Sequence, residues 1–166
     1  MTFKAEQLFT EYNQPLFRYL CRAVGNLDAA RDLTQDVFVR VSRSAIPAAP
    51  AIGIRAWLFR IARNLALDYH RHRRTIPDLV SLSSAGARSA NQDVAIAVTQ
   101  ALATLADLDR DAFLLRELGG LGYDEIAQVC ELSPDAVRSR IHRARLQLRA
   151  VLEAPIADRR HGRTRV

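Results

Sequence analysis

Residues 133–149, SPDAVRSRIHRARLQLR, place Arg138, Arg140, Arg143, Arg145 and Arg149 within one helix-length segment, with Ser139 and His142 among them and no acid between Asp135 and Glu153. A guanidinium is permanently charged and presents its N–H donors in a planar fork that matches phosphate oxygens and the O6/N7 edge of guanine. Hydroxyl and imidazole groups beside it can donate to, or accept from, base edges and phosphates. The chemistry on offer is recognition of an anion rather than bond making. No P-loop, G-x-S-x-G or H-E-x-x-H motif occurs, so the chain is read as a non-enzyme with no catalytic residue, no cofactor and no small-molecule substrate. His70 and His72 have no third histidine or cysteine near them; they are read as part of a basic patch, and no metal site is expected.

At 100° per residue, Val137, Ile141, Ala144 and Leu148 fall on one narrow apolar stripe. Arg138, His142, Arg145 and Arg149 make the adjoining face, with Ser139 and Arg143 further round. Such a helix is anchored by one side and shows guanidinium on the others. Taken alone, this charge fits a solvated face as well as a nucleic-acid reader. A membrane-surface helix would carry a wider stripe with large aromatic residues. The preceding segment, YDEIAQVCELS, tips the balance to DNA. Ile126 and Val129 can pack inward, Ala127 allows close approach, Leu132 suits the inside of a turn, Ser133 suits an N-cap and Pro134 a first helical position. A short helix, a tight turn and a basic second helix make a helix-turn-helix, whose second helix enters the major groove.

The rest of the chain must position this unit. Leu8, Tyr12, Leu16, Tyr19 and Leu20 recur at helical spacing, interrupted by Pro15 and closed by Gly25-Asn26. Asp28 is placed to cap a second helix whose stripe is Leu33, Val37 and Val41, with Phe38 beside it. SAIPAAPAIG (44–53) must be a loop. A third helix, 54–74, sets Leu58, Ile61, Ala62, Leu65 and Tyr69 on one face. Further helices are expected over 94–105, 109–118, 123–129 and 134–152, and strand alternation is absent. The fold class is therefore all-α: two small helical domains, 1–75 and 94–152, joined by a flexible linker at 76–93 and followed by a disordered tail at 153–166.

The chain has 166 residues and a net charge of +6, which favours a polyanionic partner. Its second half is polarised: every acid of 94–152 lies before Ala136, and most of its arginines lie after. Cys21 and Cys130 are far apart and read as free thiols. Together with the lack of a secretion signal or membrane span, that places the chain in the cytoplasm.

Three segments, NLDAARDLTQDVFVRV (26–41), RAWLFRIARNLALDYHRHRR (55–74) and LLRELGGLGYDEIAQVCELSPDAVRSRIHRARLQLR (114–149), together resemble the extracytoplasmic-function (ECF) sigma factors, the smallest class of the bacterial housekeeping-type sigma family. The resemblance covers roughly 5–152 in the family's order and spacing. It implies an alternative sigma factor that binds RNA polymerase core and directs promoter-specific initiation. Residues 1–75 would be sigma region 2, in which Asp32, Gln35 and Asp36 match positions that bind the clamp helices of the β′ subunit. Arg31 stands where the family often has an acid.

By the same resemblance, the third helix opens and reads the minus-ten element with Arg60, Arg63, Asn64, Arg71 and Arg74, and the loop at 45–55 pockets a flipped base. Trp57 is read as core or wedge support. Residues 94–152 would be region 4, meeting the β flap and reading the minus-thirty-five element with Arg116, Arg138, Ser139, His142, Arg143 and Arg149. Glu131 occupies a turn position where the family usually has glycine; a positive φ there would cost about 1 kcal/mol or more. An anti-sigma factor is the further partner implied. The competing reading, a free-standing dimeric helix-turn-helix regulator, accounts for the second half but leaves the helices at 28–43 and 55–74 without purpose.

Overall fold

The computed structural model describes residues 5–44, 52–75 and 90–153, and the side chains of 74, 75, 90 and 91 lie outside that description. The bulk of the expected linker, the first part of the 45–55 loop and the tail from 154 also lie outside it. The described residues form helices and no strand: α1 (Ala5–Val24), α2 (Leu27–Arg43), α3 (Ile54–Thr75), α4 (Ala90–Ala103), α5 (Asp107–Glu117), α6 (Tyr123–Cys130) and α7 (Pro134–Glu153). None of these helices is long and apolar enough to cross a membrane.

α1 buries Leu8, Tyr12, Leu16, Tyr19, Leu20 and Val24, the expected stripe extended by one turn, and it stays helical through Pro15. It ends at Gly25, whose φ of 70° is a left-handed conformation that glycine adopts without a Cβ penalty. The cap of α2 differs from expectation. Asn26, in extended backbone, accepts from the Ala29 N–H at 2.8 Å. Asp28 instead sits inside the first turn, where a carboxylate suits the positive end of the helix dipole, and pairs with Arg31 at 3.1 Å. The buried stripe of α2 is Ala30, Thr34, Val37 and Val41, and Leu33 is only half-buried beside it.

α3 departs furthest from its wheel. Ala56, Leu58, Phe59, Ala62, Leu65 and Ala66 are buried, whereas Ile61 and Tyr69 are half-buried. The cause is that α3 packs against α1 and α2 and also against α6. A helix held by two sets of neighbours buries more than one stripe. Phe59 fills this second contact, edge-on to Tyr19 with ring centroids 5.4 Å apart. Gly119 makes the approach possible: a Cβ there would stand 2.6 Å from the Leu115 carbonyl and 3.2 Å from the Phe59 ring.

In the second half, α5 packs on α6 and α7, and α4 packs on α7. α4 begins at Ala90, inside the stretch expected as linker. The helix-turn-helix forms as its sequence implies. The Glu125 carboxylate accepts from the Gly122 N–H at 2.7 Å, closing the front of α6. Ser133 Oγ accepts from the Ala136 N–H at 3.2 Å, and Pro134 opens α7. Between them Glu131 takes φ 57° and ψ 46°, the left-handed conformation raised by the family comparison.

Candidate nucleic-acid interface

α7 buries Val137, Ile141, Ala144 and Leu148, as the wheel requires, and exposes Arg138, Ser139, His142, Arg143 and Arg149. Arg138 donates to Asp135 at 2.9 Å, and its guanidinium lies 5.4 Å from the centre of the Tyr123 ring. Arg116 lies over the same ring at 4.9 Å and donates to the Leu121 carbonyl at 2.8 Å. One aromatic ring at the start of α6 thus collects guanidinium groups from α5 and α7, an arrangement favoured by the ring quadrupole. Arg149 is exposed, with Glu153 at 4.0 Å.

Two arginines of α7 also face inward. Arg140 donates to Asp109 Oδ1 at 2.8 Å, and Arg143 reaches both Asp109 oxygens at 3.2 Å. The Asp109 side chain is only 9% exposed. Burial alone would raise its carboxyl, but hydrogen bonds from Arg143 and Arg140 outweigh burial and hold it below its ordinary 3.8. Asp109 therefore ties α7 to α5, and Arg143 has a structural partner as well as an exposed edge. Arg145 pairs with Glu117 on the outer side of the same junction.

The α3 face is partly closed. Asn64 and Arg71 are exposed, Arg71 with Asp68 at 3.3 Å. Arg60 donates to the Gln128 carbonyl of α6 at 2.7 Å. Arg63 donates through Nε to Asp111 of α5 at 2.9 Å, with both side chains 13% exposed. Burial raises the Asp111 carboxyl, and the Arg63 guanidinium pulls against that rise. Burial likewise pushes the neighbouring Cys130 thiol up to about 11. Of the α3 side chains named from the sequence, Asn64 and Arg71 thus stand open, whereas Arg63 is paired with the second half and half-buried Arg60 is bonded to it. His70 also leaves the basic patch: it is half-buried and donates its Nε2–H to the Ala23 carbonyl at 2.8 Å. Trp57 is half-buried against the core. Among the described residues no group of His, Cys, Asp and Glu could hold a metal ion.

Asp32, Gln35 and Asp36 share the exposed side of α2, away from Ala30, Thr34 and Val37. Sequence reasoning missed Asp109, Asp111 and Tyr123. The acids stand in DLDRDAF like ordinary first-turn carboxylates, and the tyrosine stands in a helix-turn-helix pattern without any local sign of its two arginines.

This division into α1–α3 and α4–α7 coincides with two family models: Sigma-70 region 2 matches residues 8–76, and Sigma-70, region 4 matches residues 95–148. The chain is 34% identical over 152 residues to the ECF RNA polymerase sigma factor SigC of Mycobacterium tuberculosis, covering 84% of this chain and 78% of that protein. It is 31% identical over 153 residues to the RNA polymerase sigma factor CarQ of Myxococcus xanthus, covering 89% and 88%. The chain belongs to the ECF sigma factors.

This sigma factor accordingly directs transcription initiation, with RNA polymerase core and promoter DNA as its partners. Sigma factors are in general not enzymes. Its fold is also that of CnrH in complex with the cytosolic domain of CnrY: TM-score 0.71 and 29% identity, covering 90% of this chain and 87% of that one. A second similar structure, the sigma factor RpoE with the anti-sigma factor NepR from Bartonella quintana, has TM-score 0.72 at 23% identity, covering 90% and 96%.

Proposed function

We propose a residue-level division of labour for this sigma factor. The observation that carries it is α7: its apolar stripe is buried while Arg138, Ser139 and His142 face outward, so the side chains free to read DNA are not those that hold the helix. Arg138, Ser139 and His142 read base edges of the minus-thirty-five element, and Arg116, Arg143 and Arg149 follow its phosphates. Asn64 and Arg71, with Arg60, Arg63 and Arg74, engage the minus-ten region. Asp32, Gln35 and Asp36 bind the β′ clamp helices through charge-assisted hydrogen bonds, and region 4 meets the β flap.

The sigma factor works in the cytoplasm as a binding subunit without catalysis of its own. The likeness to CnrH, whose structure holds the cytosolic domain of CnrY, supports regulation by an anti-sigma factor. The test is in-vitro transcription with core polymerase over a genomic library. Alanine at Arg138 should change the selected minus-thirty-five sequence, and alanine at Asp32, Gln35 and Asp36 should weaken assembly with core at every promoter alike. Unaltered selection and assembly would reject the division.

A further inference from the structure

We propose that Leu146 is a further specificity-determining residue, which packs on the C5-methyl group of a thymine in the minus-thirty-five element. This rests on the reading of α7 as the minus-thirty-five helix.

The rotational setting of α7 turns Leu146 outward. Both of its chain neighbours are tied to other helices or their ends: Arg145 pairs with Glu117 of α5, and the Gln147 amide donates to the Thr104 carbonyl, just past α4, at 2.8 Å. At about 100° from each of them, Leu146 points out between the two, almost opposite the stripe of Val137, Ile141, Ala144 and Leu148. It is 53% exposed. A single exposed leucine is ordinary on a protein surface. This one stands between cations. Arg143 and Arg149, both exposed, lie about 60° to either side of it. Ser139 and His142 lie about 20° and 40° from it, two turns and one turn earlier. With Arg143 and Arg149 on the phosphates of the two strands, the side chain between them faces the floor of the major groove, where the base edges are.

Leucine can neither donate nor accept a hydrogen bond. Of the groups on that floor, the one it matches is the thymine methyl; cytosine offers an amino donor, and the purines offer N7 and O6 or N6. Covering any of those with an aliphatic side chain strips their water and gives nothing back. The leucine therefore selects thymine both by contact and by exclusion. Its place in the element follows from the helix. Seven residues from Ser139 to Leu146 span about 10 Å of axis, which is about three base pairs at 3.4 Å each.

The test uses holoenzyme assembled from the full chain and core polymerase, on promoter duplexes that the parent selects from a randomised minus-thirty-five library. Each thymine of the element is replaced in turn by deoxyuridine, which lacks only the methyl group. One replacement should weaken binding by the parent about fourfold, the effect of uncovering one methyl-sized group. It should lie about three base pairs from the position that Ser139→Ala relaxes. Leu146→Ala should no longer distinguish thymine from uracil there, whereas Leu146→Met, still apolar and of similar volume, should keep the distinction. Neither variant should shift the melting temperature, because the site is exposed. With Arg138→Ala still altering the selected sequence, the absence of a uracil-sensitive position, or a sensitivity that survives Leu146→Ala, would overturn the proposal alone. If Arg138→Ala also leaves selection unchanged, α7 is not the reader and both readings fall. A defect of Leu146→Ala that is equal on thymine and uracil duplexes would assign the leucine to a protein partner and reject the methyl contact.

Discussion

Arg138 and Arg143 look alike on a helical wheel, yet they touch different things. Arg138 is itself exposed, held by exposed Asp135 and by the outer side of the half-buried Tyr123 ring, so Arg138→Ala should leave thermal stability almost unchanged. In a holoenzyme binding assay over a randomised minus-thirty-five library, it should cost about 1–3 kcal/mol and relax preference at one position. Tyr123 adds a finer test. Leucine there removes the platform shared with Arg116 and should weaken binding by about 0.5–1 kcal/mol, whereas phenylalanine keeps the ring and should bind like the parent. Equal loss in both variants would show that the hydroxyl, not the ring, matters. Arg143 shares Asp109 with Arg140, and here pH is the probe. Asp109 is depressed in the folded state, so its stabilising contribution is complete above the ordinary 3.8 and is lost as pH falls through the folded value. The difference in melting temperature between the parent and Asp109→Asn should be widest near neutral pH and shrink below 3.8. A gap that stays constant into acid would exclude the carboxylate as its source.

At the scale of the element, what could be read in the sequence depended on whether a helix's neighbours meet one of its faces or two. The apolar stripe of α7 was readable, because its neighbours all meet that one stripe, but the inward turn of Arg140 and Arg143 to Asp109 was not. α3 was not, because a wheel assigns one inner face and Phe59, Arg60 and Arg63 belong to a second. The cap of α2 was missed for another reason: Asn26 and Asp28 are both good cap residues, and only the extended backbone at Asn26 decides between them. For Glu131 the sequence left two possibilities, a costly positive φ or an altered turn, and the backbone takes the first. Glu131→Gly should therefore stabilise the chain by roughly 0.5–1 kcal/mol in denaturant titration, and unchanged stability would show that local hydrogen bonds offset the strain. α2 predicts a contrast between its faces. Val37→Ala empties a fully buried site and should cost about 2 kcal/mol. Alanine at Asp32, Gln35 and Asp36 should leave folding intact and weaken binding to core polymerase, as measured by co-purification.

At the scale of the molecule, two halves can be seen in the motifs, but the contact between them cannot. Arg63 and Asp111 stand 48 residues apart, and nothing local to either marks it as half of a pair. A composition of small polar residues at 76–93 suggests freedom between the halves, whereas Phe59 lies against Gly119 and Arg60 and Arg63 are bonded to Gln128 and Asp111 of the second half. The two suggestions separate when the chain is cut. With a protease site introduced into the 76–89 segment, independent halves would part on size exclusion as soon as the peptide bond is broken. Halves joined as described here should stay together, and moderate salt should do little, because a pair only 13% exposed is weakly screened. Removing one partner of a buried ion pair costs about 3–5 kcal/mol, so Asp111→Asn should weaken association of the cut halves by roughly 10²–10⁴-fold and release them at the same protein concentration. Release of the parent halves on cutting would mean that the covalent linker alone keeps the contact populated.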